Sequence, residues 1–202
     1  MATLKKSKFG SSFQLALGKF FSFIPLTPNQ ITVLALLFAI VGFCFATQQQ
    51  AYLSLLFFIL AGLVDAIDGA VARFRKQVTA RGAYIDGIID RLVEFLLVLS
   101  LFFFYIPPFI LPAALLLIII LFFGSAMTSF ATAYAEHRNV ADAKKIVAQP
   151  GILPRAERLI LLFAALALVQ ISPGISALLI FACALLAVMT FAQRFAYFAQ
   201  EN

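Results

Sequence analysis

The segment AYLSLLFFILAGLVDAIDGAVARF, residues 51–74, begins as an apolar run and ends with two aspartates, a glycine and an arginine. Its first 14 residues carry no charge, and other long apolar runs follow along the chain. About 20 consecutive apolar residues are enough for a helix to span a bilayer. The segment therefore predicts a membrane helix whose last turns hold ionisable groups, and such groups within a membrane usually serve a function.

The whole chain has the composition of an integral membrane protein. Of its 202 residues, 63% are hydrophobic and 12% are charged, and the mean hydropathy is +1.03. A soluble domain of this size needs more polar surface than these residues supply. The apolar runs are continuous and lack the alternation of a membrane barrel. We predict an all-α integral membrane fold that forms one domain over residues 1–202.

Six transmembrane helices are predicted within residues 26–202, which would form one six-helix bundle. Their approximate ranges are 30–47, 51–75, 82–105, 108–136, 155–171 and 174–198. Residues 1–25 precede this bundle and place Phe9, Phe13, Leu17 and Phe20 at helical spacing among polar residues. This pattern predicts an amphipathic helix that lies on the membrane surface.

The basic residues predict the orientation of the bundle. The turns ATQQQA, YIPP and QISPG contain no lysine or arginine, so all 15 basic residues lie toward the other side. The positive-inside rule then places both termini and the two basic loops in the cytoplasm of a plasma or inner membrane. Since membrane topology accounts for the net charge of +6, we predict no nucleic-acid partner.

Four aspartates are predicted to meet at the cytoplasmic end of the second and third helices. Asp65 and Asp68 are three residues apart, and Asp86 and Asp90 are four apart, so each pair lies on one face of its helix. The short turn KQVTAR makes the two helices antiparallel and brings the pairs to a similar depth. The carboxylates therefore form one polar pocket.

Ionised acids inside a membrane cost at least about 2–3 kcal/mol each unless a positive group compensates them. Oxygen ligands at this density suit Mg²⁺ or Mn²⁺, and two such ions would balance four carboxylates. The residues leave two alternatives open: a divalent-cation transporter, or salt bridges to the neighbouring bases Arg73, Arg75, Arg81 and Arg91. The outer halves of the predicted spans carry no ionisable residue, which disfavours transport.

Residues 65–90 follow the pattern D-x-x-D-G-x-x-A-R-x8-G-x-x-x-D-x-x-x-D at all eight fixed positions. This pattern resembles the signature of the CDP-alcohol phosphatidyltransferases, whose fold matches the predicted spans and surface helix. The resemblance implies transfer of a phosphatidyl-type group from a CDP-linked lipid to an alcohol, release of CMP, two Mg²⁺ or Mn²⁺ ions, and a homodimer. Prenyl-transfer enzymes are a further alternative, but their usual DDxxD clusters do not occur here.

The resemblance also implies roles for individual residues. Asp65, Asp68 and Asp86 would be the principal metal ligands, and Asp90 would face the metals and act as the base for the acceptor hydroxyl. The implied contacts with the nucleotide or the CDP-lipid are Pro28, Asn29, Gly69, Ala72, Arg73, Thr79 and Gly82. For Pro28 and Asn29 an ordinary helix start is the alternative, and for Thr79 a solvated loop hydroxyl.

The signature does not identify the acceptor, so other residues must. Arg155 and Arg158 lie near a helix start, where they predict a phosphate site; positive-inside anchoring is the alternative. Thr132 belongs to a polar stripe on the fourth span that either lines the acceptor pocket or mediates helix packing.

The segment PRAERLIL, which contains both arginines, resembles the branch that makes phosphatidylinositol phosphate or its archaeal ether-lipid counterpart. That branch also implies a basic residue late in the fourth span, where SFATAYAEH has Thr132 and Tyr134 instead. We therefore predict inositol phosphate as the acceptor, with glycerol phosphate, serine or a CDP-inositol donor as alternatives.

Overall fold

The computed structural model describes residues 19–21, 26–140 and 151–200. Within these ranges the long elements are all helices, and one isolated bridge joins Phe109 to Leu111. The helices are α1 (Pro28–Thr47), α2 (Ala51–Phe74), α3 (Ala80–Leu101), α4 (Ala113–His137), α5 (Arg155–Leu168) and α6 (Pro173–Gln200). The predicted surface helix falls mainly on residues 1–18 and 22–25, which lie outside the described residues.

Four of these helices, α1, α2, α4 and α6, are long and apolar enough to cross a membrane. The other two differ from them for separate reasons. Helix α3 contains five charged residues, and α5 is only 14 residues long. The helical fold class is confirmed, and the structure shows four candidate spans.

The first helix begins where the sequence TPNQ predicts a start. The Thr27 side chain accepts a hydrogen bond from the Gln30 amide at 3.4 Å, and the Gln30 side chain accepts one from the Thr27 amide at 2.8 Å. Pro28 then occupies the first helical position, where its missing amide hydrogen costs nothing. This reciprocal cap holds the end of α1 next to the aspartate-bearing ends of α2 and α3.

The connection between α3 and α4 is longer than predicted. Helix α3 ends at Leu101, whereas the prediction extended it to residue 105; α4 begins at Ala113, whereas the prediction began it at residue 108. Pro107, Pro108 and Pro112 lie in this connection, and Pro108 and Pro112 account for the later start of α4. Proline lacks an amide hydrogen and disfavours helical geometry at the residue before it.

Helix packing divides the bundle into two halves, which meet where α2 contacts α5 and where α3 contacts α4 and α5. Helix α1 packs along α2 and α3, which contact each other less, and α6 packs along α5 and α4. At Gly42 a side chain would lie 3.1 Å from both the Phe58 ring and the Ser54 carbonyl oxygen, so glycine allows α1 and α2 to approach closely. The buried core is centred on Phe58, Leu97, Leu101, Ile120, Leu162 and Ile180.

Helix α4 changes its winding in the middle. Residues Ile120–Met127 form π-helical turns between two α-helical segments, and the Thr128 hydroxyl donates a hydrogen bond to the Phe123 carbonyl five residues earlier. A π-helical segment shifts the register of the residues that follow it, and such segments often occur at functional sites. The polar stripe of α4 consists of Ser125, Thr128, Ser129 and Thr132, and it begins within this segment.

Candidate active site

Three of the four motif aspartates form a compact cluster. Asp65 and Asp68 lie on α2, Asp86 lies on α3, and one carboxylate oxygen from each is within 4.8 Å of the others. The Asp68 side chain is almost fully buried, with 5% of the residue exposed. The antiparallel packing of two helix ends therefore brings together residues up to 21 positions apart, as their spacing predicts.

A hydroxyl on α1 supports this cluster. Thr32 is buried and donates a hydrogen bond to Asp68 Oδ2 at 2.5 Å. Sequence reasoning missed Thr32, although it lies four residues after Pro28, one helical turn along α1. A hydrogen bond of this kind fixes the orientation of a ligating carboxylate.

The fourth aspartate, Asp90, pairs with an arginine from the other half of the bundle. Arg155 Nη1 lies 2.7 Å from Asp90 Oδ2 and 3.9 Å from Asp65 Oδ2. The Arg155 Nη2 group also donates to the Asp90 backbone carbonyl at 3.3 Å. This base comes from α5 and is not one of the four neighbouring arginines that the salt-bridge alternative invoked.

The cluster fits a hard divalent cation by its chemistry. All of its candidate ligand atoms are carboxylate oxygens, which Mg²⁺ and Mn²⁺ prefer. In addition, Asp90 Oδ1 is buried and has no hydrogen-bond partner. A buried carboxylate oxygen without a partner is costly, and a bound cation would remove that cost.

A cavity of about 280 Å³, here called the motif cavity, opens beside the cluster among α1, α2 and α3. Asp68 and Asp86 belong to its wall. All seven residues that the resemblance assigned to the nucleotide or CDP-lipid also line it: Pro28, Asn29, Gly69, Ala72, Arg73, Thr79 and Gly82. The structure thus brings these seven residues together.

At two glycines in the wall of the motif cavity, a side chain would come close to neighbouring polar atoms. A side chain at Gly69 would lie 3.2 Å from Arg73 Nη2, so the arginine folds back across the glycine. A side chain at Gly82 would lie 3.1 Å from the Thr79 hydroxyl and 3.3 Å from Asn29 Oδ1. Thr79 also caps α3, because its hydroxyl accepts a hydrogen bond from the Gly82 amide at 3.0 Å.

A second cavity of about 280 Å³ lies among α3, α4, α5 and α6 and is here called the arginine cavity. Its wall includes the three residues predicted for the acceptor, Arg155, Arg158 and Thr132. Two further arginines, Arg91 and Arg194, also line it. The wall also contains one acid, Glu136, so the four guanidinium groups leave an excess of positive charge that favours a ligand with negative charge.

Arg194 is a residue that sequence reasoning noted only for its charge. It donates hydrogen bonds to the Thr132 hydroxyl at 2.7 Å and to the Thr128 carbonyl at 3.4 Å. It therefore places a cation beside Thr132, where the fourth span itself lacks the expected basic residue. The available signal was that Arg194 is the only charged residue of α6, and intramembrane charges usually mark functional sites.

Arg158 has a different environment from Arg155. It is 3% exposed, and its Nε and Nη2 groups both donate to the carboxylate of Glu94, which is fully buried. Glu94 was also missed by sequence reasoning, although it is an isolated acid one turn beyond Asp90. A buried ion pair of this kind is costly to break, since either partner alone would be an uncompensated charge.

A third cavity of about 310 Å³ extends from the aspartate cluster into the apolar part of the bundle. Asp65 and Arg155 stand at its polar end, and its walls include Phe58, Leu97 and Phe163 from α2, α3 and α5. We call it the apolar cleft. Arg155 therefore borders both the apolar cleft and the arginine cavity.

Two named proteins have sequences similar to this chain over most of its length. The chain is 28% identical over 178 residues to the archaetidylinositol phosphate synthase of Pyrococcus horikoshii, which covers 88% of this chain and 86% of that protein. It is 34% identical over 156 residues to the bifunctional IPC transferase and DIPP synthase of Thermococcus kodakarensis, over 75% of this chain and 34% of that protein.

The fold is similar to that of a solved enzyme, the phosphatidylinositol phosphate synthase of Mycobacterium tuberculosis. The structure of that enzyme with CDP-DAG bound matches with a TM-score of 0.76 at 21% identity and covers 93% of this chain and 94% of its own. Its complex with manganese and citrate matches with a TM-score of 0.77 at 20% identity, over 93% and 89% of the two chains.

The family model described as CDP-alcohol phosphatidyltransferase matches residues 25–195, which is most of the chain. The match includes the aspartate cluster, the motif cavity and all four arginines that line the arginine cavity. The chain belongs to the CDP-alcohol phosphatidyltransferase family.

Proposed function

We propose that this enzyme transfers a phosphatidyl-type group from a CDP-linked lipid to a hydroxyl of inositol phosphate and releases CMP. One structural observation carries the choice of acceptor. The aspartate cluster lies next to a cavity lined by four arginines, and Arg155 contacts the cluster while it lines that cavity. Membership of the family sets aside the transporter and prenyl-transfer alternatives.

The donor would occupy the motif cavity and the apolar cleft. Gly69, Ala72 and Gly82 leave room for a nucleotide against the backbone, and Arg73 would neutralise its diphosphate. The apolar cleft begins at Asp65, so a lipid chain attached to the diphosphate would extend into it. The similar fold of a synthase that binds CDP-DAG supports this arrangement.

Asp65, Asp68 and Asp86 would hold two divalent cations, Mg²⁺ or Mn²⁺, with Asp90 beside them. Bound cations of this kind neutralise the diphosphate and stabilise the leaving CMP. Thr32 would hold Asp68 in the orientation that ligation requires. The manganese complex of the structurally similar synthase supports a divalent cation here.

The reaction needs no covalent bond to the protein. The acceptor oxygen would form a bond to the phosphorus of the lipid phosphate, and the bond from that phosphorus to the CMP oxygen would break. Asp90 would accept the proton of the acceptor hydroxyl, because its carboxylate lies between the cluster and the arginine cavity. Arg155 would keep this carboxylate oriented until the acceptor arrives.

The acceptor phosphate would be bound by Arg155, Arg158 and Arg194, with Thr132 orienting Arg194. A doubly charged phosphate suits this set of cations better than serine or inositol, which carry no phosphate. The name of the Pyrococcus horikoshii relative supports an inositol phosphate acceptor. Glycerol phosphate and a CDP-inositol donor are the alternatives that the experiment must separate.

The same proposal includes a membrane arrangement. Helices α3 and α5 would also cross the bilayer, giving six spans in one domain, with a surface helix before α1. Both termini and the active site would face the cytoplasm, and two copies would form a homodimer. Cysteine substitutions at Gln49, in the turn after α1, and at Lys76, in the turn after α2, test the orientation by accessibility to an impermeant thiol reagent.

The deciding experiment measures CMP release by the purified full-length enzyme in lipid nanodiscs. CDP-diacylglycerol and CDP-archaeol are each supplied with inositol phosphate, glycerol phosphate, serine or inositol, and CDP-inositol is supplied as the alternative donor with inositol phosphate. We expect activity with inositol phosphate that disappears with EDTA and returns with Mg²⁺ or Mn²⁺. A phosphate-free acceptor as the best substrate would overturn the acceptor assignment and leave the family assignment intact.

A further inference from the structure

Glu94 is a fully buried acid that the family motif does not include. It lies on α3 one helical turn beyond Asp90 and faces the other half of the bundle. A buried carboxylate in a membrane protein is costly unless cations and hydrogen bonds surround it. The packing of apolar side chains therefore does not explain a buried acid at this position.

Both oxygens of Glu94 are occupied by partners from three helices. Arg158 of α5 donates to both of them, through Nε and through Nη2, the latter at 3.0 Å. Ser125 of α4 donates to Oε2 at 3.1 Å, and Arg91 Nη1 lies 3.7 Å from the same oxygen. The two bonds from Arg158 form the planar fork that determines the orientation of a guanidinium group.

Residues of α4 pack closely against Arg158. A side chain at Gly124 would lie 3.2 Å from Arg158 Cδ, so α4 already touches the arginine. Arg91 is held in turn by Ser129, whose hydroxyl accepts a hydrogen bond from Arg91 Nε at 2.9 Å. Both arginines line the arginine cavity, and Glu94 is the acid they share.

We propose that Glu94 is a positioning residue that holds Arg158, and through it the wall of the arginine cavity, in the orientation that binds the acceptor phosphate. This inference rests on the proposed function. The alternative is that Glu94 competes with the acceptor phosphate for Arg158. Positioning predicts weaker acceptor binding when Glu94 loses its charge, and competition predicts stronger binding.

The test is the Glu94→Gln variant of the full-length enzyme in nanodiscs. We expect the KM for inositol phosphate to rise about tenfold or more, as for the loss of a charge-assisted hydrogen bond. The KM for CDP-diacylglycerol should not change, because Glu94 lines neither the motif cavity nor the apolar cleft proposed for the donor. In the Arg158→Ala background, the same substitution should raise the acceptor KM no further, since its effect passes through Arg158.

A role in folding alone would lower the melting temperature and the amount of active enzyme, and it would leave both KM values unchanged. If Glu94→Gln does not fold, Ser125→Ala removes one partner of Glu94 and should raise the same acceptor KM by a smaller factor. A decrease in that KM, or an equal rise for the donor, would overturn the inference.

Arg155→Ala and Arg194→Ala separate the two proposals. If both leave the acceptor KM unchanged, the proposed phosphate site is wrong. If both raise it and Glu94→Gln does not, the phosphate site stands and only the positioning role fails.

Discussion

Arg155 lies 2.7 Å from Asp90 and at the same time lines the arginine cavity. This one ion pair connects the fourth carboxylate of the family motif to the residues proposed for the acceptor. An acceptor whose phosphate reaches Arg155 would bring its hydroxyl toward Asp90. In the proposed mechanism, Asp90 would therefore lie at the border between donor and acceptor.

Replacing Asp68 with asparagine is expected to abolish CMP release while the protein still folds and enters the membrane. The change replaces a charged carboxylate of the cluster with a neutral amide and keeps the shape of the side chain. Insertion should not suffer, because loss of an ionisable group lowers the cost of burial in a membrane. The measurement is CMP release, together with Mn²⁺ binding followed by electron paramagnetic resonance.

Glu157→Gln is the matched control for this variant, since Glu157 is an exposed acid of α5. It should retain activity and Mn²⁺ binding. Near-normal activity of a well-folded Asp68→Asn enzyme would contradict the metal assignment.

Replacing Thr32 with valine should weaken the binding of Mn²⁺ without unfolding α1. Valine keeps the shape of threonine and removes the hydroxyl that donates to Asp68 at 2.5 Å. Loss of such a supporting hydrogen bond typically costs roughly 10–100-fold in metal affinity. The control is Thr47→Val, because Thr47 donates only within α1, to the Cys44 carbonyl. An unchanged Mn²⁺ dissociation constant for Thr32→Val would refute the role of Thr32.

Replacing Arg194 with alanine should raise the KM for inositol phosphate and leave the KM for CDP-diacylglycerol unchanged. One charge-assisted contact is worth about 1.5–3 kcal/mol, which corresponds to a rise of about tenfold or more. Arg138→Ala is the control, because this exposed arginine stacks on Tyr134 at the end of α4. Equal effects of the two variants would indicate a general loss of positive charge and not a phosphate site.

Replacing Gly151 with alanine should destabilise the segment that leads into α5. The added methyl group would lie 2.5 Å from Thr190 Cγ2, while the Thr190 hydroxyl accepts a hydrogen bond from the Leu153 amide at 2.9 Å. Overpacking of this kind costs typically about 1–3 kcal/mol, and thermal unfolding in detergent measures it. A side chain at Gly174 meets no atom within 4 Å, so Gly174→Ala provides the control.

A second substitution, at Thr190, should restore the stability that Gly151→Ala removes. Thr190→Ser removes the methyl group that would collide and keeps the hydroxyl that binds Leu153. We expect the double variant Gly151→Ala/Thr190→Ser to recover most of the lost stability. A double variant as unstable as Gly151→Ala would show that another contact causes the effect.

Local patterns predicted the helices well and their ends less well. The capping sequence before α1 and the two aspartate pairs depend on neighbours within one or two helical turns, which the sequence displays directly. The third helix ended four residues before its predicted end, because apolar residues continue from Leu101 into a proline-rich connection that does not stay helical. Hydropathy alone does not distinguish these two conformations.

The sequence by itself determined that the chain is helical, that it is apolar enough for a membrane, and that aspartates meet where α2 and α3 turn back on each other. Only the tertiary structure decided which side chain each of three arginines contacts. Arg155 reaches Asp90, Arg158 reaches Glu94, and Arg194 reaches Thr132 across separations of 65, 64 and 62 residues. The physical reason is that helical periodicity determines the face on which a side chain lies, whereas its partner depends on how the two halves of the bundle pack.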